Sequence, residues 1–194
     1  MTTPTQAQAL SETQPQAQAL SETQPQAQAL SETQPQAQAL SDGLPDPGDL
    51  LPYGYPALQV DRIVRHTPGA LEATKAVTYH ELDAHLGGSR PGRFPASLTL
   101  ESFLQACGLL LMRETDPDDR QLLIFGSARG VRMPDAARAG ELLVHTVELV
   151  DRDEETATFA GVSRAGDGRT VLEVERAITL LRPADSFEGY VSGS

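Results

Sequence analysis

Basic residues and cysteine are scarce in this chain. Its 194 residues contain 15 lysines and arginines against 27 aspartates and glutamates, a formal net charge of −12. Nucleic-acid binding rests on neutralising phosphates, so this balance argues against a nucleic-acid partner and against an anionic membrane surface. The single cysteine, Cys107, excludes an intrachain disulfide and favours a reducing cytoplasm as the location.

Long apolar runs and metal-ligand spacings are also missing. No apolar run approaches the roughly 20 residues of a membrane-spanning helix, so we expect no membrane span. The N-terminus lacks a basic segment followed by an apolar one, so we expect no signal peptide. The four histidines and the cysteine show none of the short spacings typical of metal sites, which predicts that no metal is bound.

A ten-residue repeat fills residues 3–42. The unit Thr-Gln-Pro-Gln-Ala-Gln-Ala-Leu-Ser-Glu stands at 13–22 and 23–32, with variants on both sides. A period of ten does not match a helix, the prolines interrupt one, and no aromatic residue offers a core. We therefore predict a disordered tail over residues 1–42. A passive tail, a weak docking segment and a repeat expansion without function remain open.

The rest of the chain is predicted to form one domain. Residues 43–49 form a Pro/Gly-rich linker, residues 50–183 are long enough for a single core, and residues 184–194 form a flexible C-terminal tail. Periodicity predicts a helix over 97–113 and strands at 57–66, 71–79, 121–133, 141–150, 155–165 and 170–182. The first two strands and the last two are predicted to form hairpins, because turn residues join them.

This order of elements predicts an α+β fold. Two strands, a loop, one long apolar helix and four strands require a sheet that curves around the helix. A curved antiparallel sheet wrapped around one helix is the hot-dog fold.

Glu101 is the only charged residue between Ser97 and Met112. One interpretation places it inside a buried helix, where a carboxylate is costly unless it is paired or its pKa rises, and a raised pKa suits acid–base chemistry. The other interpretation places it in an exposed first helical turn, where the helix dipole favours an acid.

Four segments resemble the 3-hydroxyacyl-acyl-carrier-protein dehydratases, in the family's order across residues 50–182. Leu50–Val64 is similar to the family opening LLPHRYPFLLVDRV, and Leu100–Gly108 resembles the helix segment IEALAQAAG. Phe125–Pro134 carries the Ala-Arg-x-x-x-Pro pattern, and Ala139–Leu143 resembles PGDQL.

The resemblance implies a catalytic pair at one end of the helix. In the family, a histidine from a Gly-His-Phe-Pro-Gly loop and a helix carboxylate remove the α proton of a 3-hydroxyacyl thioester and protonate the departing hydroxyl. Glu101 matches that carboxylate. Ala96 and Ser97 fall where backbone N–H groups hold the thioester carbonyl. The resemblance implies no cofactor.

The histidine motif departs from the family pattern. An ungapped alignment places Gly88 where the histidine belongs. Ala84–Gly88, however, resembles a degenerate form of Gly-His-Phe-Pro-Gly, which makes His85 the candidate base. Using His85 then requires a longer segment between it and Glu101 and a correspondingly shorter segment before it. His80 is an alternative base, but it is more simply interpreted as the end of the second strand. His66 and His145 are interpreted as structural.

The resemblance also implies partners. Acyl carrier protein would bring the substrate on its phosphopantetheine arm, and an arginine cluster is a candidate docking patch for that acidic protein: Arg90, Arg93, Arg129, Arg132 and Arg138. Ordinary surface arginines are the competing interpretation. We expect a homodimer, or a heterodimer with a related hot-dog subunit.

Three functions remain open from the sequence. The first is a dehydratase in fatty-acid or polyketide biosynthesis. The second is a degenerate binding or scaffolding subunit that completes a partner's active site. The third is a hot-dog thioesterase or isomerase, which the same fold can host.

Overall fold

The computed structural model describes residues 43–52, 54–82, 92–116 and 121–183. The repeat and the C-terminal tail lie outside these ranges, so both remain predictions, as do the domain boundaries. The described helices and strands are α1 (Pro47–Leu50), β1 (Arg62–Thr67), β2 (Ala70–Ala76), α2 (Ala96–Glu114), β3 (Gln121–Arg132), β4 (Leu142–Arg152), β5 (Thr156–Arg164) and β6 (Thr170–Pro183), with a 3-10 turn at Tyr79–Glu81.

The six strands form one antiparallel sheet in the order β1-β2-β4-β5-β6-β3. Strands β1 and β3 are its edges, and the chain crosses from one edge region to the other while it forms α2. Side chains of α2 join those of five strands in one buried apolar cluster. The α+β hot-dog arrangement that the sequence predicts is confirmed.

Helix α2 packs closely against the centre of the sheet. Its side chains are buried almost continuously from Ser102 to Leu111, which explains why no polar face is visible in the sequence. A Cβ added to Gly161 on β5 would lie 2.9 Å from a ring atom of Phe103 and 2.2 Å from the Thr146 carbonyl oxygen. Gly161 therefore permits the close approach of helix and sheet.

The first strand is shorter than the sequence predicts. Residues 57–61 carry the apolar pattern of a strand, yet β1 begins at Arg62. The backbone at Ala57 and Gln59 bonds to side chains of α2 instead of to a neighbouring strand. Apolar periodicity reports burial but does not report which partner takes the backbone hydrogen bonds, so the prediction fails there.

The second strand also ends early, at Ala76 instead of residue 79. Glu81 accepts hydrogen bonds from the Thr78 N–H at 2.9 Å and the Thr78 hydroxyl at 2.7 Å, which turns the chain away from the sheet. The hairpin joining β1 and β2 is confirmed, and its turn needs glycine because Gly69 has φ +76°.

A short helix occupies the predicted linker. Asp46 caps α1 by accepting a hydrogen bond from the Gly48 N–H at 2.8 Å, and Pro47 occupies the first turn. Asp-Pro is a recognisable helix start in sequence. Leu44 and Leu50 pack against the main apolar cluster, so this segment contributes to the core.

Candidate active site

The N-terminal end of α2 is exposed and lacks a side-chain cap. Pro95 is the N-cap residue, no side chain among the described residues bonds to the first-turn N–H groups, and the first turn contains no acid. Ala96 and Ser97, predicted to present backbone N–H groups to substrate, are both exposed there. Among the described residues, none compensates the positive end of the helix dipole at Ala96 and Ser97.

Glu101 lies in the second turn of α2, roughly 7.5 Å along the helix axis from Ala96. Its side chain is exposed, whereas Ser102 and Phe103 beside it are buried. The interpretation of Glu101 as a buried carboxylate is therefore wrong for the single chain. The alternative is right about exposure, but Glu101 lies beyond the first turn, where the dipole acts most strongly.

Gln105 holds the Glu101 carboxylate from one helical turn away. The Gln105 Nε2 group donates to Glu101 Oε1 at 2.8 Å and to the Ala57 carbonyl at 2.9 Å. Gln105 Oε1 accepts the Gln59 N–H at 2.7 Å, so this buried amide is bonded on both sides. Sequence reasoning missed Gln105, although a carboxylate and an amide at positions i and i+4 share a helix face.

The residues just before α2 are hydrogen-bonded to the segment that precedes β4. The Phe94 N–H donates to the Ala137 carbonyl at 2.7 Å, immediately before the helix begins. Phe94 is buried in a second apolar cluster with Val77, Leu82, Ala137, Leu143, Ala165 and Val171. The position of Ala96 and Ser97 thus depends on this cluster.

An ionic network reinforces the same corner. Arg169, in the turn between β5 and β6, contacts Asp135 and Glu141 at 2.8 Å each. Arg93 lies 3.4 Å from Asp135, and Arg138 lies 3.8 Å from Glu141. The Ala136 N–H, together with the neighbouring arginines, holds the pKa of Asp135 below its ordinary value. The network ties residues 135–141 to the approach to α2.

The histidines are distributed as follows. His85 and Gly88 lie outside the described residues, so the structure does not test either role. His80 is exposed in the 3-10 turn, and His66 is half-buried with its Nε2 4.0 Å from Glu114 Oε1.

His145 is fully buried on β4. Its Nε2 lies 2.7 Å from Ser102 Oγ and its Nδ1 lies 2.7 Å from Ser163 Oγ. Burial lowers the pKa of His145 to about 3, so the ring is neutral near pH 7. The sequence-based interpretation of His145 as structural agrees with this burial.

The candidate docking arginines differ in their surroundings. Arg132 is paired with Glu173 and Glu175, each at 2.8 Å. Arg129 is exposed on β3, and its register partner on β6 is Arg176, also exposed. Arg90 lies outside the described residues. Positive charge is therefore more concentrated at Arg129 and Arg176 than at Arg132.

Cys107 belongs to the core. It is completely buried on α2, and this burial raises the pKa of its thiol well above the usual range. Within the described ranges, no group of three or more His, Cys, Asp or Glu side chains is arranged to hold a metal ion. Among the helices described here, none combines the length and apolarity needed to cross a bilayer.

Comparison with known proteins places this geometry in a family. No family model matches the chain. It is 34% identical over 131 residues to the 3-hydroxyacyl-(acyl-carrier-protein) dehydratase FabZ of Proteus mirabilis (strain HI4320), which covers 66% of this chain and 85% of that enzyme. The chain belongs to the FabZ dehydratase family. The FabZ of Tolumonas auensis is 35% identical over 133 residues, with 65% of this chain and 86% of that enzyme covered.

Solved structures support the hot-dog fold of this FabZ-family chain. A chain of the dehydratase heterocomplex ApeI:P from Xenorhabdus doucetiae superimposes with a TM-score of 0.62 at 17% identity, covering 76% of this chain and 98% of that one. The fluoroacetyl-CoA thioesterase FlK superimposes with a TM-score of 0.55 at 15% identity, covering 65% and 95%. Because both dehydratases and thioesterases have this fold, the sequence relationship and not the fold identifies the family.

Proposed function

We propose that this chain is a lyase that removes water from 3-hydroxyacyl thioesters carried on acyl carrier protein and yields 2-enoyl thioesters. The relationship to the FabZ enzymes, at 34% identity over 85% of one relative's length, carries the proposal. The held carboxylate at the open end of α2 supports it, because the reaction needs a positioned acid or base beside an electrophilic helix end. The proposed setting is fatty-acid or polyketide biosynthesis in the cytoplasm.

Glu101 is the proposed group that protonates the leaving hydroxyl. Gln105 bonds its Oε1, and within the described residues Oε2 accepts no protein hydrogen bond, so Oε2 is the oxygen available to substrate. His85 is the proposed base that takes the α proton. The electron pair of the broken C–H bond forms the double bond, and the C–O bond breaks as the hydroxyl leaves as water.

The N-terminal turn of α2 is the proposed binding site for the thioester carbonyl. Removing the α proton places negative charge on that oxygen, and uncapped N–H groups at a helix N-terminus stabilise such a charge. Ala96 and Ser97 occupy that turn. Gly88, which lies outside the described residues, is proposed as a further substrate-binding residue. A thioester held there lies within one to two helical turns of Glu101.

The docking surface for acyl carrier protein is proposed at Arg90, Arg93, Arg129 and Arg132. Arg129 is the strongest of the described members because Arg176 adds charge beside it, whereas Arg132 is neutralised by two glutamates. A salt-sensitive KM for the carrier substrate is the expected signature. Arg129→Glu should raise that KM, and Arg62→Glu on the opposite edge strand is the matched control.

Strand β3 supports a dimer. It is an edge strand of 12 residues in which Ile124 and Val131 are each more than a third exposed, and Met133, just after the strand, is exposed to a similar extent. A long edge with apolar side chains is a ready pairing surface. A homodimer and a heterodimer with a related hot-dog subunit are both consistent with that edge.

The test is turnover of a 3-hydroxybutyryl-carrier substrate by the purified full chain, followed by mass spectrometry of the carrier. We expect water loss by the wild type and loss of turnover in Glu101→Gln and His85→Ala. His80→Ala and Glu148→Gln are matched controls on an exposed histidine and an exposed glutamate, and both should retain activity. An active His85→Ala variant would remove His85 from the mechanism.

The second candidate function is a subunit of a heterodimeric dehydratase. The shifted histidine motif favours it, because a partner's histidine can then serve Glu101 of this chain. The expected pattern is no turnover by the chain alone and activity on adding a related subunit, abolished by Glu101→Gln. Inactivity under both conditions would instead support a scaffolding role.

A further inference from the structure

A second polar cluster lies in the middle of the core, behind Glu101. It consists of Ser163 on β5, His145 on β4 and Ser102 on α2, all fully buried. The His145 ring lies between the two hydroxyls, with a contact of 2.7 Å on each side. Three polar side chains at one point in an apolar core are costly unless all are satisfied, so their bonding pattern must be complete.

The hydrogen-bond pattern fixes the form of the ring. The Ser102 hydroxyl donates its only proton to the Gln59 carbonyl at 2.5 Å, so its oxygen can only accept from His145. His145 therefore carries its proton on Nε2. Its Nδ1 is an acceptor and takes the Ser163 hydroxyl proton. The assigned chain runs Ser163 to His145 to Ser102 to the Gln59 carbonyl, each group donating to the next.

The chain continues from Gln59 to the catalytic carboxylate. The carbonyl of Gln59 is held by Ser102, and its N–H is held by Gln105 Oε1 at 2.7 Å. Ser102 and Gln105 are three residues apart on α2, so they lie on one helix face and both bond to the backbone of Gln59. The other end of the Gln105 amide donates to Glu101 at 2.8 Å.

We propose that His145 is a positioning residue for Glu101, acting through Ser102, the Gln59 backbone and the Gln105 amide; this rests on the proposed function of Glu101. Each link is buried and hydrogen-bonded on both sides. A displacement of His145 is therefore passed on to the next link, because the links are shielded from solvent. The family helix segment that Leu100–Gly108 resembles has alanine in place of Ser102. The cluster is thus a feature by which this chain anchors a carboxylate that protrudes from the core.

The first test reads the Gln105 side-chain amide directly, by NMR hydrogen exchange on the full chain. His145→Leu removes the hydrogen bond from residue 145 to Ser102, and His145→Gln restores a donor to Ser102. Ser102→Ala removes the hydrogen bond from residue 102 to the Gln59 carbonyl, with a smaller change in side-chain volume. Val147→Ala is the matched control, because Val147 is buried two residues along the same face of β4. We expect Gln105 amide exchange to be about ten-fold faster in His145→Leu and Ser102→Ala than in Val147→Ala. In His145→Gln, exchange should be slower than in His145→Leu.

The second test separates positioning from general stability by kinetics. Loss of carboxylate placement should lower kcat about ten-fold while KM stays within about two-fold. Val147→Ala should change neither, even though it weakens the core. Equal Gln105 exchange in Ser102→Ala and Val147→Ala would overturn the proposal.

The two proposals fail in different ways. An inactive wild type argues against the proposed self-sufficient dehydratase but leaves the amide-exchange result decisive for the role of His145. An active wild type whose Gln105 exchange and kcat are unaffected by Ser102→Ala rejects the positioning role alone. If His145→Leu does not fold, Ser102→Ala carries the test, because it removes one oxygen and leaves the ring in place.

Discussion

As the pH is lowered, this protein should begin to lose stability at a higher pH than protonation of its carboxylates alone would cause. Burial lowers the pKa of His145 to about 3, against an ordinary value of 6.5. Below pH 6.5 the unfolded chain binds a proton at this residue that the folded chain excludes. The stability that the neutral, buried His145 provides is therefore fully present above pH 6.5 and is lost as the pH falls from 6.5 towards 3.

The size of the effect follows from proton linkage. Each pH unit below 6.5 removes about 1.4 kcal/mol, so a shift from pH 7.5 to pH 5.5 should cost the folded state about 1.4 kcal/mol. That window lies above the range in which the carboxylates titrate. The exposed or half-buried histidines contribute equally to the wild type and to variants at position 145.

The assay is urea unfolding followed by circular dichroism at pH 7.5, 6.5 and 5.5, at one protein concentration because association shifts apparent stability. His145→Gln cannot titrate and keeps a donor for Ser102, so its stability should fall by about 1.4 kcal/mol less across the window. His80→Gln, a change at an exposed histidine, should follow the wild type. Parallel pH dependence in the wild type and His145→Gln would refute burial of a neutral His145.

Three further outcomes are expected. Gln105→Leu should lower kcat at least ten-fold, measured as turnover of carrier-bound substrate, because Glu101 loses the donor that orients it. Arg169→Ala should lower kcat/KM about ten-fold by releasing the approach to α2, whereas Arg65→Ala, which also breaks a surface ion pair, should not. Lys75→Met should lower the free energy of unfolding by about 2 kcal/mol in urea titrations, because it leaves the partly buried Glu81 without its 2.8 Å partner.

The sequence predicts the fold well because its signals are local and strong. The apolar helix, the alternating strands and the turn residues each restrict one segment, and their order leaves few topologies. The predicted helix at 97–113 and the observed Ala96–Glu114 differ by one residue at each end. The prediction for segment 57–61 fails because the backbone of its central residue, Gln59, is bonded by side chains of a helix more than 40 residues away.

The site is only partly predictable. Glu101 is recognisable as the single charge in an apolar helix, and the family resemblance gives it a role. Gln105 has only its i, i+4 spacing from Glu101 as a local signal. The His145 cluster has none, since nothing local distinguishes a polar core residue that bonds to a distant element from one that bonds to nearby backbone. The sequence leaves the exposure of Glu101 open between two interpretations, because helical periodicity cannot show that the sheet covers the neighbouring residues and leaves this side chain open.

The most direct test of the central proposal is the reverse reaction in D₂O. The full chain is incubated with a 2-butenoyl-carrier substrate, and the product is analysed by mass spectrometry. A dehydratase that moves the α proton must add water across the double bond and leave one non-exchanging deuterium at C2, and Glu101→Gln should abolish this. Release of free acid would indicate a thioesterase, and unchanged substrate with the chain alone and with a related subunit would contradict the dehydratase assignment.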